Sequence, residues 1–209
     1  MMKSLVVVAS VLLLAACGNN SSTTGASSES SGASSQTPST EAAVVGNWKM
    51  IPELSRITFT STQVGKSFMG EFKRFSTVIR LDPNNLADAH IEVTIDMSST
   101  DAHDEQRNLA LAGEEWFDVA HFPTAVFRSD SVKKLEDGTY QAAGKLTIRN
   151  ITMDLVVPFT LDIDGDMARA FGEFNLMRTD YKLGDAYDDS SAGVKVLVTF
   201  DVTATRVPS

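Results

Sequence analysis

The stretch Val194-Lys195-Val196-Leu197-Val198-Thr199-Phe200-Asp201-Val202 decides the fold. Its apolar residues recur at every second position, Val194, Val196, Val198, Phe200 and Val202, with Lys195, Thr199 and Asp201 between them. That period belongs to a strand with one face in a core and one in water. Working outward, the same alternation appears in Leu155, Val157, Phe159, Leu161 and Ile163, then in Phe174 and Leu176. Further upstream it runs through Ile91, Val93, Ile95 and Met97, through Ile57 and Phe59, and through Phe68, Gly70 and Phe72. Asp82-Pro83-Asn84-Asn85, Asp137-Gly138 and Asp164-Gly165 separate these runs and suit reversals between antiparallel strands. The pattern predicts an all-β chain of about eight antiparallel strands.

One segment breaks the alternation. Residues 101–112 contain Leu109, Ala110 and Leu111 among good helix formers, with Ser99, Thr100 and Asp101 as candidate caps and Gly113 as a stop. A single short helix is expected there. The aromatic connection that follows, Trp116, Phe117, His121, Phe122 and Pro123, needs a surface to bury against, so helix and exit are expected to cover one end of the sheet. A sheet of this size leaves no exposed edge if it closes into a barrel. At about eight strands the interior is filled by side chains or holds one small ligand, and alternation alone fits both cases. Gly70, Gly144 and Gly172 interrupt the inward sets, either as bulges and bends or as room for a cavity.

The chain has 209 residues, a formal net charge of −9, 43% hydrophobic and 22% charged residues. Such a composition suits a globular domain, and the acidic balance without any Lys/Arg run excludes nucleic acid as a partner. After Lys3 comes an apolar run over residues 5–14, shorter than the roughly 20 residues that span a bilayer, so it reads as a signal peptide, residues 1–16. It ends Leu14-Ala15-Ala16-Cys17-Gly18, which resembles the lipobox of bacterial lipoproteins, with Cys17 lipidated. Gly18 after that cysteine suggests the outer membrane, with the protein facing the periplasm. Residues 17–43 are rich in Ser, Thr, Gly and Ala and are read as a flexible tether, leaving residues 44–209 as the domain. Cys17 is the single cysteine, so the domain has neither disulfides nor thiolate chemistry.

His90, His103 and His121 lack metal-ligand spacing, and Asp162 to Asp166 reads as a hairpin turn rather than a calcium loop. No nucleophile elbow, phosphate loop or dinucleotide fingerprint occurs, so the chain is expected not to be an enzyme and to need no metal. A lipid-modifying hydrolase or isomerase using His121 or His103 is the alternative, and a structural module with a filled barrel is another.

Several ordered blocks over residues 48–206 resemble the YceI-like lipid/polyisoprenoid-binding family. They are Phe59, Gly70-Glu71-Phe72 with Phe75, the Arg107 region, Trp116-Phe117-Asp118, Phe122-Pro123-Thr124-Ala125-Val126-Phe127-Arg128-Ser129, Gly144-Lys145-Leu146-Thr147-Ile148 and Arg178-Thr179-Asp180-Tyr181. Departures are Arg107-Asn108-Leu109-Ala110-Leu111, where many members carry Arg-Asp-x-His-Leu, and Asn150 in place of a glycine. The resemblance implies a lipocalin-like barrel in the bacterial envelope that encloses an isoprenoid lipid or quinone as ligand, with no other cofactor. It also implies a membrane b-type cytochrome as a partner. The candidate lining residues are Phe59, Phe68, Phe72, Val93, Ile95, Phe127, Leu146, Val157, Phe159, Phe174, Leu176, Val198 and Phe200. Arg178 and Tyr181 are the candidates for holding a head group, with a structural pairing of Arg178 to Asp180 or Asp185 as the other reading.

Overall fold

The computed structural model describes residues 46–208. The expected signal peptide, Cys17 and the tether lie outside the described residues. The elements are β1 (Trp48–Met50), β2 (Arg56–Gln63), β3 (Lys66–Phe72), β4 (Phe75–Asp82), β5 (Asn85–Asp96), β6 (Thr100–Asp101), α1 (Glu105–Ala112), β7 (Thr124–Lys134), β8 (Tyr140–Ile148), β9 (Ile151–Asp164), β10 (Met167–Met177) and β11 (Lys195–Arg206).

These eleven strands form one sheet in the order β1-β4-β5-β7-β8-β9-β10-β11-β2-β3-β6, and a further β1 to β11 pairing closes it. Three interruptions reconcile eleven segments with the eight strands expected. β1 and β2 both pair antiparallel with β11, so they are two lengths of one strand broken by a 3-10 turn at Pro52–Leu54. β3 pairs with β2 and β4 with β1, which makes them one strand kinked at Lys73 and Arg74. β5 and β6 likewise continue one another across the 3-10 turn Met97–Ser99. The result is a closed antiparallel barrel of eight strands with one α-helix among the described residues.

The period-two pattern fixes which face turns inward, because a one-residue slip would send every apolar side chain to solvent. β10 and β11 hold register from Met167↔Thr205 to Met177↔Lys195 without a shift. On the outer face, opposite charges stand across the ladders: Arg128 donates to both Glu92 carboxylate oxygens at 2.9 and 3.2 Å, and Arg169 to both of Asp201 at 2.8 and 2.6 Å. The three turn signals sit in hairpin connections, with Asp82 paired to Asn85 and Asp164 to Met167 across two-residue loops. A fourth tight turn, Arg149-Asn150, has φ of 50° and 61°, the left-handed pair that a two-residue hairpin favours.

The helix starts later than expected. Thr100 and Asp101, read as caps, pair with Phe72 and Glu71 as strand β6, and the Asp104 carboxylate instead accepts from the Arg107 N–H at 2.9 Å as the cap of α1. Gly113 ends it as predicted. Phe117 is buried and packs 6.1 Å from Phe72, which folds the exit of the helix over one end of the barrel.

At the other end Trp48 is buried, donates from Nε1 to the Leu81 carbonyl at 2.9 Å, and lies under the Arg206 guanidinium at 4.4 Å. The glycines divide between both readings. Gly144 faces the register shift between Ser129 and Ser131, a bulge. Gly70 and Gly172 stand directly opposite Phe59 and Phe200, and a Cβ at either would collide with the ring opposite. Each phenylalanine therefore lies flat on a glycine across the ladder. Gly70→Ala is expected to lift the Phe59 ring into the interior and to lower stability by about 1–3 kcal/mol, read from urea unfolding.

Candidate ligand-binding cavity

Side chains do not fill this barrel. A cavity of about 510 Å³ occupies its interior, within the range of roughly 300–1,000 Å³ of small-molecule sites. All thirteen side chains proposed from the sequence as lining residues border it. Val93, Ile95, Phe174, Leu176, Val198 and Phe200 are only half-buried although they face inward, because the space before them is not occupied by protein. The alternation missed Trp48 and Leu81 at the closed end, and Leu111, Trp116 and Phe117, which the helix and its exit bring over the other. All but Leu81 lie on segments too short or too irregular to show a period; Leu81 ends an alternating run on β4 in which the polar Thr77 weakens the apolar signal.

The exposed lining residues mark the mouth. Gln63 and Val64 come from the β2–β3 hairpin tip, Ala110 from α1, and Tyr187 and Ser191 from the loop between β10 and β11. Backbone bonds join hairpin and loop, from the Val64 N–H to Ser191 O at 3.0 Å and from the Gly193 N–H to Thr62 O at 2.9 Å. Trp116 stacks on Tyr187 at 5.7 Å, and the Tyr187 hydroxyl donates to Glu115 at 3.0 Å.

Arg178 lies at this end, but not as a head-group ligand. It is 3% exposed, and its five N–H donors go to five backbone carbonyls: Nε to Gly193, Nη1 to Leu183 and Gly184, and Nη2 to Tyr187 and Ala192, at 2.6 to 3.2 Å. No donor remains for a ligand, and neither Asp180 nor Asp185 pairs with it among the described residues. Its role is to hold the 178–194 loop closed, with Trp116 5.6 Å away. Tyr181 is 2% exposed and borders the cavity, its pKa pushed up to about 12 chiefly by burial, with the Asp180 charge adding to it. Its hydroxyl makes no hydrogen bond among the described residues.

Arg107 is the polar lining residue that alternation could not find, since it sits on the helix. Its Nε donates to Gln63 Oε1 at 3.1 Å, its Nη1 to Ala102 O at 2.7 Å, and its guanidinium lies 4.5 Å from the Phe68 ring centroid. The histidines lie elsewhere. None of His90, His103 and His121 borders the cavity. His121 bonds through Nδ1 to the buried Asp118 carboxylate at 2.8 Å, which raises its pKa.

An antiparallel barrel with an apolar interior, closed at one end and polar-rimmed at the other, defines a lipocalin-like ligand-enclosing protein. Within that class the chain belongs to the YceI-like family, whose domain matches residues 48–204. Protein YceI of Salmonella arizonae is 31% identical over 131 residues, covering 61% of this chain and 68% of that protein. BcnA of Burkholderia cenocepacia has the same fold at a TM-score of 0.71 and 29% identity, over 75% of this chain and 99% of that one. A polyisoprenoid-binding domain from Saccharophagus degradans shares the fold at a TM-score of 0.61 and 11% identity, over 77% and 99%.

Arg178→Ala is expected to strand five carbonyls and to cost on the order of 3 kcal/mol in urea unfolding, with no rescue by Arg178→Lys, whose ammonium has three donors. For His121 the folded pKa lies above its unfolded value of 6.5. Its stabilising contribution is therefore complete below about pH 6.5 and disappears as the pH rises through the folded pKa. His121→Gln should lower the melting temperature most at or below about pH 6.5, with the difference shrinking as the pH rises through the folded pKa, measured by thermal scans across pH.

Proposed function

We propose that the barrel binds one long hydrophobic amphiphile, a polyisoprenoid or isoprenoid quinone, tail in the cavity and head at the mouth, as a carrier or store in the bacterial cell envelope. The observation that carries this reading is the apolar cavity of about 510 Å³, closed by Trp48 and open between α1, the β2–β3 hairpin and the 178–194 loop. Burial contributes about 0.8 kcal/mol per methylene, so each five-carbon isoprene unit adds a few kcal/mol before ordering costs. A chain-shaped ligand gains most from such a lining, which presents few polar groups. The polyisoprenoid-binding domain from Saccharophagus degradans, built on the same fold, supports that choice of tail.

Binding rather than catalysis is favoured because no histidine borders the cavity. The envelope location rests on the apolar run before Cys17 and on the lipobox-like residues around it, with lipidated Cys17 as the anchor in the outer membrane. A quinone ligand would make a membrane b-type cytochrome the partner that uses it.

Native mass spectrometry of the full chain purified from the envelope, followed by solvent extraction, tests the reading. A stoichiometric lipid is expected, and Leu176→Trp with Val198→Trp should abolish its retention by filling the space. A bare protein that takes up neither added polyprenol nor added quinone would overturn it.

A further inference from the structure

The charge among the residues that line the cavity has one sign. Among the described residues no Asp, Glu or Lys lines the cavity, and the charged lining residues are Arg107 and Arg178. Arg178 is fully engaged with carbonyls. Arg107 is not: two of its N–H groups serve Gln63 and Ala102, and the other three make no hydrogen bond among the described residues. Asp104 forms an ion pair with the guanidinium at 3.8 Å from Nη2, too long to take one of its N–H donors, and its other oxygen caps α1 by accepting from Arg107's own backbone N–H. The guanidinium is held in place by the Phe68 ring, the hairpin tip and the chain entering the helix, so a ligand that meets it orders little.

Other polar groups of the lining act in the same sense. The Gln63 amide oxygen is taken by Arg107, which leaves its NH₂ group, a donor. The Tyr181 hydroxyl, on a side chain that borders the same cavity and without a hydrogen-bond partner among the described residues, is a neutral donor throughout the physiological range. A cation with free donors beside a low-dielectric apolar lining favours an acceptor that carries charge, since charge-assisted bonds are roughly twice as strong as neutral ones. The formal net charge of −9 means that the whole chain does not attract anions, so selection has to be made locally.

We propose that the lipid held in this cavity carries an oxyanion head, a phosphate or a carboxylate, bound by Arg107 at the mouth. The inference rests on the lipid-binding reading above and names its head-group class. A prenyl phosphate and a fatty acid share this chemistry.

The test titrates the full chain with four probes: geranylgeranyl monophosphate, geranylgeraniol, palmitate and 1-hexadecanol. Intrinsic fluorescence reports binding, because Trp48 and Trp116 both border the cavity. Each oxyanion is expected to bind about tenfold or more tightly than the alcohol with the same tail. Arg107→Gln should bring that ratio close to one, and Arg107→Lys, which keeps the charge, should retain a preference. A preference in the phosphate pair alone, or in the carboxylate pair alone, supports the proposal and identifies the source of the head. Equal affinity for acid and alcohol overturns the proposal and leaves the lipid-binding reading standing. An unchanged ratio in folded Arg107→Gln overturns the assignment to Arg107, and failure of all four probes to bind overturns the oxyanion proposal, whereas the lipid-binding reading falls only if added quinone also fails to bind. Should Arg107→Gln not fold, the ratio in the unmodified chain decides the head-group class by itself.

Discussion

The structure depends on closing a ring of strands around an interior that side chains do not fill, and three residues complete the ring. β1, Trp48–Met50, pairs along one edge with β11 and meets β4 on the other through Trp48 and Ile79. Without it β4 and β11 would each present an unpaired edge at the Trp48 end of the barrel. Such edges invite pairing with another chain, whereas full closure satisfies every ladder internally. The same short strand delivers the Trp48 indole as the floor of the cavity, anchored to Leu81 and covered by Arg206. Closure and the depth of the cavity are thus one event in this chain.

A barrel of eight strands is narrow enough for its own side chains to fill it. Two cross-strand pairs oppose that outcome. Phe59 lies on Gly70 and Phe200 on Gly172, so the two large rings lie along the wall instead of standing across the interior. This arrangement forgoes dispersion contacts that a filled core would make, because a wall atom facing a gap has no partner on that side. A bound tail of the right length would supply those contacts. Folding stability and lipid binding are coupled on this account, since any ligand that binds only the folded state stabilises it by mass action.

Much of this was legible from residue order, because period two names both the strand and its inward face. Val196, Val198, Phe200 and Val202 could not all point inward in any other regular element. The wall of the cavity follows from that alternation, and the turns follow from Asp, Asn, Gly and Pro at the reversals. Less was legible where tertiary pairing overrides local preference. Thr100 and Asp101 look like helix caps, but Phe72 and Glu71 recruit them into the sheet. β1 is too short for any periodicity to register. The role of Arg178 had no signal at all, since its partners are carbonyl oxygens, which every residue type provides equally.

Three arginines organise the mouth, and their different tasks follow from how many carbonyls each one meets. Arg149, held in a left-handed turn, reaches from the β8–β9 connection to the Trp116 and Lys182 carbonyls and so ties the helix exit to the 178–194 loop. Arg178 meets five carbonyls and disappears into that loop as its internal scaffold. Arg107 meets one carbonyl and one amide oxygen, and it alone of the three borders the cavity with donors left over. A guanidinium is a five-donor fork, so the backbone that surrounds it determines whether it acts as structure or as a recognition group. The loops here satisfy one fork completely and leave another facing the cavity, so the same residue type provides both the rigid frame of the entrance and its unsatisfied cation.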